Sequence, residues 1–476
     1  MRLWFTGKRY RFLRAVCICM LCFGVLSSRM SVQAAVTEED MAAYQQLPIE
    51  SNATADWPQG PVINAESAIL MEAETGTILY AKNIHAHEYP ASTTKLLTTL
   101  IAFERCALDE VVTFSYEAVF DTPRDSNHIA MDVGQALNIE ECLNAILIRS
   151  ANEVSFAVAE HITGTSWQDF AAIMNERAAE LGCVDSNFVN PNGLPDENHY
   201  TSAYDLAMIG RAFFANEVLC NMTLTPTLHL YPSDRQPHEK IDANKMLLLP
   251  GKEYAYNGLV GCKTGYTLDA GNCLVSCAER NGLKLICVVL RDGAPYQYED
   301  TIALLNYGFS NFSKVVVAEA DTKYNIDSNG LFYSDHDIFG DSQPLLFLNQ
   351  EDFIILPATV SIAEAQSSIS YDTDSDTQAA LISYSYHGVP VGSASVDLAV
   401  SGIRDFDFGS QPAVENAPSD NTLLVFINVK VILIVGGIII AAVLILLVIT
   451  AVLKNYQLPF IRSIRSRRRN GRRRGW

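Results

Sequence analysis

The sequence predicts a mixed α/β (α+β) chain that is exported and held at a membrane, and three observations carry that prediction. Short strand patterns at Ala68 to Met71 and Thr77 to Tyr80 precede a run of helix-like segments from Ser92 to Phe214. Paired strand patterns then return at Cys273 to Ala278 and Leu283 to Leu290 around Asn281-Gly282, a strong hairpin turn signal. From Ser313 to about Val400 the pattern alternates and is β-rich, and a charge-free apolar stretch lies near each end of the chain.

At the N-terminus, Arg2, Lys8, Arg9, Arg11 and Arg14 precede the apolar run Ala15 to Leu26, and Ser31-Val32-Gln33-Ala34 has the small residues of a cleavage site. The 12-residue run is too short to span a bilayer, so residues 1–34 read as a secretory signal peptide. Residues 35–60 are polar and unpatterned, a flexible leader by expectation. Residues 61–312 form the main domain, 313–402 a β-rich domain and 403–430 a Pro/Gly/Ser/Asp-containing linker. Val431 to Leu453 is apolar for 23 residues, a helix of about 34 Å and long enough to cross a membrane. Nine basic residues and no acid follow in 454–476, which places this tail in the cytoplasm and the rest outside.

The whole chain carries −20, and the part between the signal segment and the tail carries −35. That surface argues against nucleic acid and against docking on anionic polymer. Eight cysteines lie beyond the signal segment, with no Cys-x-x-Cys or Cys/His spacing of a zinc site, so no metal and no cofactor are expected. A two-residue turn at Asn281-Gly282 sets Cys277 opposite Ile286 and Cys287 on the other face, so no simple cross-strand disulfide is expected there.

Within the main domain, Pro90 is where a helix would be entered, which puts Ser92 in a first turn and Lys95 three residues on, on the same face. An amine there can take the serine proton if burial and a nearby cation lower its pKa. Asn138 with Glu141 caps Ile139 to Ile148, and Glu153 to Ile162 ends before Gly164. Ser166 with Asp169 opens Trp167 to Leu181, and Ser202 with Asp205 opens a helix to Phe214. The periodicity breaks at Arg149 to Asn152, holding Ser150 and Asn152 in a polar loop: a proton relay and an amide donor, or a helix cap. Lys263-Thr264-Gly265, followed by Tyr266-Thr267, stands on a strand where Lys263 could hold a carboxylate, Thr264 and Thr267 could donate hydroxyls, and Gly265 lets an extended ligand approach.

Ser92-x-x-Lys95, Ser150-x-Asn152 and Lys263-Thr264-Gly265 stand in the order used by penicillin-recognising serine enzymes. With Pro90-Ala91, Asn192-Gly193-Leu194, His199-Tyr200-Thr201, Asp205-Leu206-Ala207 and Ala270-Gly271, the stretch from about Val62 to Phe312 resembles the low-molecular-mass penicillin-binding proteins that act as D-alanyl-D-alanine carboxypeptidases. The resemblance implies a β-lactamase/DD-peptidase-like fold, an antiparallel sheet with a helical subdomain. It implies that Ser92 attacks the penultimate D-Ala carbonyl of a peptidoglycan stem pentapeptide, with Lys95 as base, Ser150 as relay and Lys263 as carboxylate anchor. Penicillin and other β-lactams would acylate Ser92. Glu153 replaces the family's usual Asp, which matters little if it only caps a helix, and Cys262 replaces an aliphatic residue. His199 matches a family position and is read as a packing or hydrogen-bonding residue. Two other readings share these features: a membrane-held β-lactamase, and a non-catalytic penicillin or cell-wall sensor.

Overall fold

A computed structural model of the chain describes residues 36–231, 239–324, 346–373 and 377–398. The expected signal segment, linker, membrane helix and tail lie outside them, as do the expected strand Leu331 to Tyr333 and part of the acidic run at Asp374 to Asp376. Among the described residues no helix is long and apolar enough to cross a membrane.

The first hairpin forms where the pattern puts it. Strand β1 (Ser67–Glu72) pairs antiparallel with β2 (Ile78–Lys82), and the Glu72 carboxylate accepts from the Glu74 and Thr75 N–H groups in the turn. The chain then enters a 3-10 turn, Ala91–Thr94, which holds Ser92 and leads into helix α1 (Lys95–Arg105). Every residue of α1 from Lys95 to Ala102 is buried, so this helix has no wet face over its first two turns. Helix α2 (Ile139–Arg149) opens on the reciprocal Asn138/Glu141 capping box, and α3 (Asn152–Thr163) closes at Gly164 in the left-handed region. A 3-10 turn at Trp167–Asp169 runs into a helix over Phe170–Glu180, and α4 (Ala203–Phe214) opens with Ser202 Oγ accepting from Asp205 N–H.

Strands β3 (Leu259–Thr267), β4 (Gly271–Arg280) and β5 (Leu283–Asp292) complete a sheet ordered β2-β1-β5-β4-β3, with every pairing antiparallel. Asn281 and Gly282 both have positive φ, as a two-residue hairpin turn demands, and the register sets Cys277 opposite Ile286 and Ser276 opposite Cys287. The described cysteines are all free thiols. Along β5, Ile286, Val288 and Leu290 join the core beneath the helices, while Leu285, Cys287 and Val289 join a second core on the other face. A strand buried on both sides explains why Leu283 to Leu290 reads as a continuous apolar run.

Two further elements pack into that second core. Helix α5 (Tyr296–Asn311), absent from the sequence expectations, lies so close that a Cβ on Gly308 would stand 2.6 Å from Leu285 Cδ1 and 2.7 Å from Leu70 Cδ2. A second antiparallel sheet then runs in the order Phe312–Val316, Phe353–Pro357, Val389–Leu398, Gln378–Tyr386, Gln366–Ser370, with Leu346–Leu348 added to Val389–Leu398. Its first strand stops earlier than the expected Lys314 to Ala318, because Val317–Ala320 turns helical.

The leader is a correction. Residues 36–60 are ordered on the fold: Thr37 and Asp40 form a capping box over Glu38–Tyr44, and the buried Trp57 donates Nε1–H to Leu79 O at 3.0 Å. Trp57 also packs at a tilt against Phe312, ring centroids 5.1 Å apart, and Tyr386, 6.5 Å apart, an aromatic burial that ties this segment to the second sheet.

Candidate active site

Three stretches far apart in the sequence meet at Ser92. In the 3-10 turn, residues three apart eclipse one another, and Lys95 Nζ stands 3.0 Å from Ser92 Oγ. The same nitrogen lies 2.7 Å from Asn152 Oδ1 and 2.5 Å from the Asn192 carbonyl. Lys95 is wholly buried. That desolvation first, and the Lys263 charge second, hold its amine well below the ordinary lysine range, against a smaller opposing pull from Glu153.

Ser150 caps α2 in a left-handed conformation, φ 56° and ψ 36°, and its Oγ accepts from Lys263 Nζ at 3.1 Å. Lys263 also donates to the Thr264 carbonyl at 2.8 Å, and burial lowers its pKa to about 7. The structure therefore brings Ser92, Lys95 and Asn152 together as one hydrogen-bonded group and Ser150 with Lys263 as another. Among the described residues, strand β3 ends the sheet with one edge unpaired. A Cβ on Gly265 would stand 2.9 Å from Pro90 O and 3.0 Å from Ser92 N, so the strand presses directly on the turn that carries Ser92. Thr267 Oγ1 accepts from Ala270 N–H at 3.0 Å, and the Thr264 hydroxyl faces Met246 Sδ at 3.7 Å.

Sequence reasoning assigned no role to the loop Asn190 to Leu194. Asn190 Oδ1 accepts from Asn192 and Gly193 N–H, and Thr98 on α1 donates to Pro191 O at 2.6 Å, which aims the Asn192 carbonyl at Lys95. Gly193 has φ +80°, and a Cβ there would overlap the carbonyl oxygen of Ala91, itself at φ 46°. The Asn-Pro-Asn-Gly string is a turn signal, but nothing local says what the turn touches. His199 is buried, its Nδ1 accepting from Val189 N–H at 3.1 Å and its Nε2 2.9 Å from Thr94 Oγ1. Burial lowers its pKa to about 4, so the neutral ring donates from Nε2 and holds the turn, the packing and hydrogen-bonding role expected of it.

Glu153 does more than cap a helix. It is buried, with Oε1 accepting from Ile129 N–H at 2.7 Å, while the neighbouring Asn152 N–H donates to Asn127 O at 2.9 Å. Consecutive residues of α3 thus hold Asn127 and Ile129, and the loop Pro123 to Asn127 that ends there forms one wall of a cavity of about 470 Å³. Ser92, Asn152, Asn192 and Thr267 line the same cavity, with Tyr266 and Leu268 more than half exposed at its lip.

Residues 53–294 match the model of a family described as D-alanyl-D-alanine carboxypeptidase. The chain belongs to that family. Over 257 residues it is 33% identical to the D-alanyl-D-alanine carboxypeptidase DacF of Bacillus subtilis, covering 52% of this chain and 63% of that relative. It is 30% identical over 285 residues to DacA of Haemophilus influenzae, covering 58% of this chain and 69% of that one. The fold superposes on penicillin binding protein 5 of Haemophilus influenzae with a TM-score of 0.56 and 25% identity, over 72% of this chain and 98% of the other. Penicillin binding protein 6B of Escherichia coli gives 0.54 and 25% over the same shares.

In this carboxypeptidase family member the overlap at Gly193 generates a test. Gly193→Ala must push the Ala91 carbonyl and with it Ser92, so labelling by a fluorescent penicillin is expected to slow at least about tenfold, the cost of roughly 1.4 kcal/mol or more in the barrier. An unchanged labelling rate in the folded variant would show that the loop does not set the position of Ser92.

Proposed function

We propose that the chain is a serine-type D-alanyl-D-alanine carboxypeptidase that removes the terminal D-alanine of peptidoglycan stem pentapeptides through an ester on Ser92, with β-lactams acylating the same oxygen. The observation that carries this reading is the set of partners around Lys95 Nζ. The Asn152 Oδ1 and Asn192 carbonyl oxygens can only accept, so a neutral amine gives them its two N–H groups and turns its lone pair toward the Ser92 hydroxyl. Lys95 then takes the Oγ proton as Oγ attacks the penultimate D-Ala carbonyl. The proton now on Lys95 passes by way of the Ser150 hydroxyl to the departing amine, which leaves Lys95 neutral again, and water resolves the ester. The Ser92 N–H at the pressed edge of β3 is placed to stabilise the oxyanion, with a strand N–H beyond Gly265.

Lys263, with the Thr264 and Thr267 hydroxyls, receives the substrate's terminal carboxylate while the peptide lies along the open edge of β3 at Gly265, and Asn152 donates to a substrate carbonyl. Thr264 gives up only a thioether contact for this, and a thioether is a weak acceptor.

The direct test offers the full chain in detergent, with and without Ser92→Ala, a pentapeptide ending in D-Ala-D-Ala. Free D-alanine from the parent and none from the variant is the expected result. Rapid, repeated β-lactam turnover without D-alanine release would establish the β-lactamase reading instead, and acylation with neither activity the sensor reading.

The pH profile follows from the two lysines. Acid protonates Lys95 and removes the base, and alkali discharges Lys263 at about 7, so kcat/KM is expected to be bell-shaped with its alkaline limb near that value. Arginine stays charged, so in Lys263→Arg the alkaline limb should disappear even where the maximum rate is reduced. An alkaline limb that persists in that variant would assign it to another group.

The protein is further proposed to be exported, anchored by residues 431–453 with the catalytic part outside and the basic tail in the cytoplasm. The charge-free apolar length and the nine flanking basic residues support this. The full chain should partition with membranes and a chain ending at Asp420 should not; equal partitioning would refute the anchor.

A further inference from the structure

At the end of α1 remote from Ser92, a thiol, a carboxylate and an imidazole converge. Cys106 caps α1, Glu110 stands on the turn that follows, and His161 lies in the last turn of α3. Their ligand atoms all lie within 4.8 Å of one another, and His161 Nε2 is 3.0 Å from Glu110 Oε2. The other Glu110 oxygen, Oε1, accepts from Ala107 N–H at 2.6 Å, so the carboxylate is already oriented by the backbone.

We propose that Cys106 Sγ, Glu110 Oε2 and His161 Nε2 bind one zinc ion, with water as the fourth ligand. The donor set decides the metal class. Sulfur and imidazole nitrogen favour zinc over magnesium or calcium, which take oxygen ligands. Bonds of about 2.0 Å to nitrogen and oxygen and 2.3 Å to sulfur bring tetrahedral ligand atoms roughly 3.3–3.5 Å apart. Closing to that distance takes about an ångström of side-chain movement, and the side chains of Glu110 and His161 are 44% and 27% exposed, so they have the room. On binding, the Cys106 thiol gives its proton to solvent, the sulfur–zinc bond replaces the S–H bond, and no electron is transferred.

The placement gives the ion a role. Helices α1 and α3 begin at Lys95 and Asn152, whose side chains meet beneath Ser92, and they run side by side for about 16 Å. Zinc would join their other ends, so the pair that positions the catalytic amine would be fastened at both. The site is hidden from a motif search because its third ligand comes from another helix, 51 residues after Glu110.

The test strips the full chain with EDTA and titrates it with Zn²⁺ and with Co²⁺. One equivalent of Zn²⁺, a rise in Tm on binding, and a thiolate-to-cobalt charge-transfer band in the near ultraviolet are expected. Cys106→Ser should abolish the band, and Cys106→Ser and His161→Gln should each weaken Zn²⁺ binding at least tenfold, the usual scale for loss of a metal-site partner. Both variants should still release D-alanine, which shows that they fold. No Zn²⁺ uptake by a parent that releases D-alanine would overturn the proposal, as would uptake unchanged in both variants.

Discussion

Much of this structure follows from keeping one amine dry. A lysine in water stays protonated far above neutral pH and cannot take a proton from serine, so the role proposed for Lys95 needs it buried, supplied with acceptors and set near a second positive charge. Each requirement is met by a different part of the chain. The apolar residues of α1 bury it, the first turn of α3 and the Asn190 to Leu194 loop supply the acceptors, and β3 brings Lys263. None of these parts can serve alone, which is why the sheet, the helical core and the loop have to close on one another before the site exists.

That closure requires unfavourable backbone. Ala91 and Ser150 both sit in the left-handed region without being glycine, each at a cost of about 1–3 kcal/mol. Both flank the reacting groups, and both are held by contacts that reach across the sequence: Gly193 and Gly265 against the Ala91 turn, Lys263 against Ser150. The sheet supports this strain because it is buried on two faces, with helices α1 to α4 on one side and α5 with the second sheet on the other. A one-sided sheet would leave β3 freer to drift from the turn it presses on.

What could be read in advance was local. Ser92 and Lys95 are related by a three-residue spacing, Asn138 and Glu141 by a capping box, and the register of β4 and β5 by Asn281-Gly282, and in each case the partner lies within a few residues. The misses have the opposite character. Helix α5 has no side-chain N-cap and carries Gly308 inside it, and the strand Gln366–Ser370 is mostly polar and exposed, formed by backbone pairing to Gln378–Tyr386. Trp57 signals burial only once Phe312 and Tyr386 are beside it. Glu153 reads as a helix-start carboxylate until Ile129, 24 residues earlier, is seen to donate to it.

The electrostatics of the whole chain bear on how such a site meets its substrate. Residues 35–453 carry −35, so their long-range field repels an anionic peptide, and at physiological salt that field fades within about 8 Å. The two lysines at the site are almost completely enclosed, at 0% and 1% exposure, and present no positive patch to solvent. In the proposed reaction the substrate carboxylate is therefore recognised only at contact, once the peptide lies along the edge of β3 and excludes water from above Lys263. There the attraction is strong because the surroundings are dry, the same condition that keeps Lys95 uncharged. One desolvated pocket thus supplies both the base and the specificity, and any change that admits water weakens the two together.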